Sequence, residues 1–274
     1  MKKLRSPIVW FGGKGHSVSR LLKLIPEHLT YIEVFGGGAS LLFAKPPSPV
    51  EVYNDIDSGL VNFFRVLRDP DMFGRFYGKV VLIPFSREEF KACKETWDKQ
   101  GDPVESAVRW FVVARQSFSG VFGKGWGYSR SSTSGGMAMK CKAWLSALEL
   151  LPYIHARMIQ VQVENRDFRK ILETYDSPET FFYLDPPYHK DTRKNGRYRH
   201  EMNSRDHRDL VKLLLEIKGK ALLSGYSHPD YLPLEKSGWQ RLDYTTTCMA
   251  VGKTRCNGLL GKGSVKKKHG RIES

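Results

Sequence analysis

The chain has 274 residues, 41% apolar and 27% charged, so it can bury a full core as one large domain or one domain with an insertion, and wholesale disorder is excluded. Forty-four Lys and Arg against 29 Asp and Glu leave a formal charge of +15, a surface that attracts polyanions: nucleic acid first, an anionic membrane second. No window holds the roughly 18 consecutive apolar residues of a membrane helix.

The opening "MKKLRSPIVWFGGK" has a basic head, but its apolar run is too short for a secretory segment and glycines follow at once, so a cytoplasmic protein is expected. Cys93, Cys141, Cys248 and Cys256 are scattered without C-x-x-C pairs, which signals neither a zinc site nor a disulfide framework. In chain order, "TYIEVF" (30–35) reads as a buried strand, 39–45 as a short helix and "EVYND" (51–55) as a second strand. A helix over about 57–68 places Leu60, Val61, Phe64 and Leu67 on one face and stops before Pro70.

The rhythm then breaks. Ser86 to Glu89 has capping-box spacing for a helix to about Lys99, and Asp102-Pro103 with Glu105 opens another that carries Val104, Val108, Phe111 and Val112. "SFSGVFGKGWGYSRSSTSGG" (117–136) has no period of either kind. Residues of about 70–157 therefore read as a mostly helical insertion with one long polar loop. Strands return at "MIQVQV" (158–163), "FFYLD" (181–185), "KALLSGY" (220–226) and "WQRLDYTTT" (239–247), with helices between most of them. Such alternation at both ends predicts an α/β fold with a mostly parallel sheet covered on both faces. A polar, basic tail fills 261–274.

Three stretches carry chemistry. "YIEVFGGGAS" (31–40) ends a strand in three glycines, letting backbone approach a ligand and aiming helix N–H groups at it, and Asp55 follows the next strand where an acid suits a ribose diol. It lacks the G-x-G-x-x-G spacing, so it suggests an adenosine-containing cofactor without requiring NAD; a structural turn would look the same. "WFGGKG" (10–15) fails as a P-loop, because Ile8 and Gly15 stand where a Gly and a Ser or Thr are needed. What remains is a Trp, a flexible turn and a Lys able to neutralise a carboxylate, or a surface loop. Asp185-Pro186-Pro187-Tyr188 ends a strand with hydrogen-bond acceptors and no donors, since Pro lacks an N–H. An Asp oxygen, a proline carbonyl and a ring fit a planar amino group, the alternative being a strand stopped by prolines with Tyr188 packed locally.

"WFGGK", "EVFGGGAS", "YNDID" and "YLDPPY", in this order and spacing, resemble the Dam-type (D12 class) DNA adenine-N6 methyltransferases over about residues 5–70 and 158–247. Residues 198–231 also resemble phage and prophage members. The resemblance implies a Rossmann-like S-adenosylmethionine-dependent methyltransferase sheet, with a discontinuous catalytic domain at 1–69 and 158–260 and a target-recognition domain inserted at 70–157. It implies that Trp10 and Lys14 contact S-adenosylmethionine, that Glu33 and Gly36 to Gly38 line its methionine side, and that Asp55 holds the ribose. "NRDF" makes Asp167 and Phe168 candidates for its adenine, and Asp185 belongs to both cofactor and catalytic sets.

Methyl transfer to an amine requires position more than a nucleophilic side chain, and no metal. Asp185 and the Pro186 carbonyl would accept the two N6 hydrogens of a flipped adenine, biasing the nitrogen toward a more nucleophilic form, while Tyr188 stacks on the base. Double-stranded DNA is the expected partner, met by Arg115, Lys124, Arg130, Arg193 and Arg197, with Phe122, Trp126 and Tyr128 as candidate wedges. A monomer or weak dimer is expected. His200 with Glu201 is not H-E-x-x-H, and His207 reads as capping or decorating a helix; the H-x-E and P-C-x-x-C pairs of a zinc deaminase are absent. A same-fold enzyme acting on RNA or a protein amide, and a silent DNA-binding relative, are the other readings. The final "TRCNGLLGKGSVKKKHGRIES" departs from the family's aromatic-apolar run and predicts a short, altered or missing last strand.

Overall fold

The structure is a computed structural model that describes residues 4–10, 12–193, 198–248 and 253–263. Arg197 and the basic tail from residue 264 onward lie outside the described residues.

A short helix α1 (Val18–Leu21) leads to β1 (Thr30–Glu33), α2 (Ser40–Ala44) and β2 (Val50–Asn54). Helix α3 (Ser58–Arg68) is capped by Asp57, whose side chain accepts the Gly59 and Leu60 N–H groups. Pro70 does end it, and also opens α4 (Pro70–Val80) at a position where its missing N–H costs nothing, with Asp69 accepting from Met72. Helix α5 (Arg87–Lys94) stops short of Lys99: beyond it the Thr96 N–H turns to the Cys93 carbonyl and the Thr96 hydroxyl to that of Ala92, tightening the chain into turns. Ser86 makes no side-chain cap bond despite its spacing. Helix α6 (Pro103–Gln116), capped by Asp102, buries all four of its expected apolar residues.

The hairpin β3 (Thr133–Ser134) and β4 (Met137–Ala138), α7 (Met139–Leu148) and α8 (Leu151–Met158) follow. Because α8 runs through Met158, the strand expected from there is only β5 (Gln162–Glu164). Then come α9 (Phe168–Tyr175), β6 (Thr180–Leu184), α10 (Ser204–Glu216), β7 (Lys220–Gly225), α11 (Leu232–Lys236), β8 (Gln240–Cys248) and β9 (Lys253–Lys262). Strand β9 corrects the expectation of a short or missing last strand. Its residues pair on both sides, Leu260 with Leu223 of β7 and with Arg241 of β8, so the ladder carries the strand where the apolar pattern is weak.

The sheet order is β5-β2-β1-β6-β7-β9-β8. The β1/β6, β2/β5 and β6/β7 pairs are parallel, and β9 is antiparallel to β7 and β8. Every residue of β6 is buried, as expected of a strand covered on both faces. Among the described residues no helix is long and apolar enough to cross a membrane.

The chain forms two compact units, one of residues 1–18, 36–47 and 51–167 and one of 19–35, 48–50 and 168–274. In the first, Phe63 stacks on Phe111 at 5.3 Å and on Trp110 at 5.2 Å, and meets Phe76 edge-on. Side chains of this size each contribute about 1.5–3 kcal/mol on burial. Beside this aromatic core lies a buried ionic group in which Glu51 accepts from Lys45 Nζ at 2.6 Å and Arg157 Nη2 at 2.8 Å. Burial by itself would raise the Glu51 carboxyl, but the bonds from Arg157 and Lys45 outweigh it and hold it below its ordinary 4.5.

A carboxylate held down in the folded state adds stability above its unfolded value and loses it as pH falls through the folded one. Glu51→Ala should therefore cost about 3–5 kcal/mol at neutral pH, by stranding two buried cations. In urea unfolding, the gap between variant and native chain should narrow as the pH is taken below 4.5.

Candidate active site

From β1 the chain builds β2 and β5 on one side and β6 and β7 on the other, so strand order reverses between β1 and β6, both in the second unit. Open α/β sheets bind ligands beyond the carboxyl ends of their strands at such a point. Register aligns Glu33 with Tyr183 and Leu184 with Leu223, so the ends of β1, β6 and β7 present Glu33, Asp185 and Ser224. Glu33 is buried and accepts the Tyr31 hydroxyl at 2.9 Å. Asp185 is half-buried and Pro186 buried. Tyr188 is 7% exposed; its hydroxyl meets Ser224 Oγ at 3.3 Å, and its ring stands edge-on to Tyr226 at 4.8 Å. Burial, reinforced by the Asp185 charge, pushes the Tyr183 and Tyr188 phenols well up, so both stay protonated and neither serves as a base. Sequence reasoning missed Ser224 and Tyr226, whose signal is the apolar run "LLSGY" breaking at the end of β7.

The first unit holds the glycine turn. The Gly36 N–H donates to the Asn54 carbonyl, the Gly37 N–H to Asp55 Oδ2 and the Tyr53 hydroxyl to the Gly37 carbonyl, each at 2.8 Å. Gly37 has φ +48°, and a Cβ there would lie 3.0 Å from the Trp10 indole; on Gly38 it would lie 3.4 Å from Trp10 Cβ. Trp10 thus lies against the turn and also packs on Trp110 at 5.7 Å. Lys14 donates to the Gly12 carbonyl at 3.3 Å. Within the turn the Gly37 N–H is directed at Asp55 and the Ala39 N–H bonds the Gly36 carbonyl, and α2 begins at Ser40.

The "NRDF" stretch clamps β2. Asn54 exchanges bonds with the backbone of Arg166 at 3.0 and 2.9 Å, and Asn165 donates to the Asp55 carbonyl at 2.8 Å. Asp167, in the first unit, is exposed. Phe168, in the second, is buried, with Phe35 at 5.6 Å and the Arg169 guanidinium 4.4 Å over its ring.

The basic residues separate into two kinds. Lys124 and Arg130 are exposed. Arg115 donates to the Ala143 carbonyl at 2.6 Å, and burial together with the Arg5 charge pushes its guanidinium down to about 10. Arg193 is largely buried and grips both Glu201 oxygens, at 3.2 and 2.5 Å. Of the aromatic candidates, Phe122 is packed between Trp97 and Trp110, and Trp126 rests on Phe85 and donates to Gln116 Oε1, which leaves Tyr128 exposed. Arg87, unmarked in sequence, lies 4.8 Å over Trp126 and 5.4 Å over Tyr128.

His207 also departs from expectation. It neither caps nor decorates α10, where Asn203 is the cap, but is fully buried and stacks on His189. His228 stacks on the other face of His189. His189, His228 and Asp230 bring nitrogen and oxygen atoms within 4.8 Å of one another, yet face-to-face rings direct their in-plane lone pairs side by side and not toward one centre.

A Cβ on Gly36 would lie 2.2 Å from the Tyr53 ring. Gly36→Ala should cost about 1–3 kcal/mol in urea unfolding. Gly74→Ala, where a Cβ meets nothing within 4 Å in the middle of α4, should instead be neutral or stabilise by up to about 1 kcal/mol.

The chain is similar in sequence to known proteins. The chain is 26% identical over 190 residues to the type II methyltransferase M.CviBI of Paramecium bursaria Chlorella virus NC1A, covering 66% of this chain and 68% of the relative. It is 27% identical over 197 residues to the type II methyltransferase M1.LlaDCHI of Lactococcus lactis subsp. cremoris, covering 68% and 66%. It is 23% identical over 223 residues to the DNA N-6-adenine-methyltransferase of Escherichia phage P1, covering 77% of this chain but 28% of that longer protein. The family profile described as D12 class N6 adenine-specific DNA methyltransferase matches residues 10–232. With most of its length matched and the Asp-Pro-Pro-Tyr turn at the end of a central parallel strand, the chain belongs to the D12 class N6 adenine-specific DNA methyltransferase family.

Proposed function

We propose that the chain methylates N6 of an adenine flipped out of duplex DNA, with Asp185, the Pro186 carbonyl and Tyr188 as the grip on the base. The observation that carries this is the acceptor-only turn after β6, between two parallel neighbours. An exocyclic amine offers two N–H donors in a plane, and Asp185 with Pro186 offers two acceptors and no competing donor. Accepting both hydrogens draws the nitrogen lone pair out of ring conjugation and stabilises the positive charge that develops there. The neutral ring of Tyr188, held by Ser224 and Tyr226, stacks on the base and offsets part of the few kcal/mol of unstacking.

S-adenosylmethionine supplies an activated sulfonium methyl when bound. Trp10, the Gly36–Gly38 turn, Asp55 and Asp167 in the first unit, and Glu33, Phe168 and Asp185 in the second, are the residues proposed to hold it, with Lys14 beside its carboxylate. A turn whose glycines leave no room for a Cβ, faced by an indole and tied to an acid after β2, suits an adenosine-containing ligand with a ribose diol. Phe168, flanked by Phe35 and Arg169, would meet the cofactor adenine through its edge.

The segment 70–157 is assigned to target recognition and 1–69 with 158–260 to catalysis. Arg87, Tyr128 and Arg130 form an exposed cation and ring cluster: Arg130 lies 5.9 Å from the Tyr128 ring, which also has Arg87 at 5.4 Å and stacks on Trp126 at 5.7 Å. Guanidinium planes stacked on rings keep their N–H edges available to phosphate or guanine. Arg115 and Arg193, which bond Ala143 and Glu201, support the surface more than they contact DNA.

Incubation with labelled S-adenosylmethionine and unmethylated duplex DNA, followed by sequencing for modified adenine, tests the central reading. Asp185→Ala should reduce label in DNA by at least about a thousandfold. Label appearing only in RNA or protein would overturn it. Arg87→Ala and Arg130→Ala should each weaken duplex binding and lower its salt slope by about 1, with cofactor affinity unchanged; equal losses in both would show the division of labour to be wrong.

A further inference from the structure

Tyr188 is followed directly by His189, a buried residue for which neither the base grip nor the cofactor turn has a use. Its imidazole is sandwiched: His207 of α10 lies on one face at 3.6 Å and 22°, and His228 beyond β7 on the other at 3.5 Å and 13°. Tyr231 stands edge-on to all three rings, and its hydroxyl meets His207 Nδ1 at 2.8 Å. Asp230 closes the open edge, with Oδ2 at 3.4 Å from His189 Nε2 and its N–H donating to His228 Nδ1 at 3.2 Å. His189 is 4% exposed and His207 0%.

This column joins three pieces of chain that the grip depends on. Upstream of His189 is Tyr188, held by Ser224 and Tyr226; two residues beyond Tyr226 is His228, so the loops after β6 and β7 are zipped together twice. Downstream, the His189 carbonyl accepts from the Thr192 hydroxyl at 2.7 Å and anchors the start of the basic loop. From α10, His207 closes the stack. A buried ring in such a column cannot leave without releasing the turn on either side of it.

We infer that the His207–His189–His228 column is a positioning element that holds Tyr188 and the Asp185-Pro186-Pro187 turn in the base-receiving conformation, and that it opens when it takes up protons. The inference rests on the proposed role of that turn. Flat imidazoles stack face to face at 3.5 Å when neutral; two imidazolium rings at that separation repel, and the column has one carboxylate, Asp230, in contact with it. The charged groups around it are Asp230, Asp191 and Arg208 toward His189, and Asp230 and Asp206 toward His207. Burial, followed by the neighbouring rings, pushes His189 down and His207 to about 4. A histidine kept neutral in the folded state while its unfolded form titrates near 6.5 loses its stabilising effect as pH falls from that value toward the folded one. The column should thus weaken as the pH falls from about 6.5 toward 4.

The test is the pH profile of methyl transfer for the full chain, with His207→Ala, His207→Phe and Asp185→Ala alongside. His207→Ala should lower kcat by at least about tenfold at pH 8 with KM for S-adenosylmethionine unchanged, because the grip is misplaced and not removed. His207→Phe restores a flat ring without a proton. It should recover most of that loss at pH 8 and move the acid limb to lower pH. An unmoved acid limb in His207→Phe overturns the inference. In the native chain, the His189 and His207 rings should stay neutral, by their ring resonances, below the ordinary histidine range and then shift together with the loss of rate; ordinary, independent titration of these two overturns the inference even where a variant fails to fold. Full activity in Asp185→Ala would overturn the base-grip reading itself, whereas an inactive Asp185→Ala with native-like His207 variants would overturn the column alone.

Discussion

The whole active end of this protein depends on one constraint: a central parallel strand that terminates in two residues unable to donate a hydrogen bond. Pro186 and Pro187 stop the ladder after β6, and because β1 and β7 flank that strand, Asp185 and the Pro186 carbonyl lie where strand order reverses. A single proline would end the strand as well. The second fixes the path to Tyr188, whose ring is held in place by burial against Ser224 and Tyr226.

The glycine turn after β1 obeys a different constraint, that of space. Tyr53 occupies the volume that a Gly36 side chain would need, Trp10 crowds Gly37, and Asp55 takes up the Gly37 N–H. The turn is therefore shaped by packing from two directions and by one acidic residue, and the acid that suits a ribose is also the residue that holds the turn to β2. Asn54 and Asn165 reinforce it from the other side, so residues more than a hundred positions apart act as one frame.

Charge is distributed less freely than a formal +15 implies. Lys45 and Arg157 neutralise a buried Glu51, Arg169 bridges Asp206 and Asp209, and Arg193 is occupied by Glu201. These cations stabilise the fold and contribute little local field. Of the cations that stay outward between residues 70 and 157, Arg87 and Arg130 lie near aromatic rings, which orients a planar guanidinium at little entropic cost.

Much of this was legible in the sequence, and the parts that were not share a cause. Strand and helix periodicity, Asp57 and Asp102 caps and the prolines at 70, 103, 186 and 187 act within a few residues, so β1, β2, β6, β7, α3 and α6 and the Asp185 turn could be read directly from the chain. The family motifs extended that reading to the cofactor candidates around the turn only because their order is kept. By contrast, β9 owes its length to partners on both sides, Arg87 meets Trp126 across an intervening helix and loop, and His189, His207 and His228 converge from three separate elements. Local sequence by itself determined where strands end and which groups they expose, because those are short-range steric effects. Only the tertiary structure decided which arginines are outward, which ring stays exposed and which histidines stack, because each depends on a neighbour that the sequence places far away.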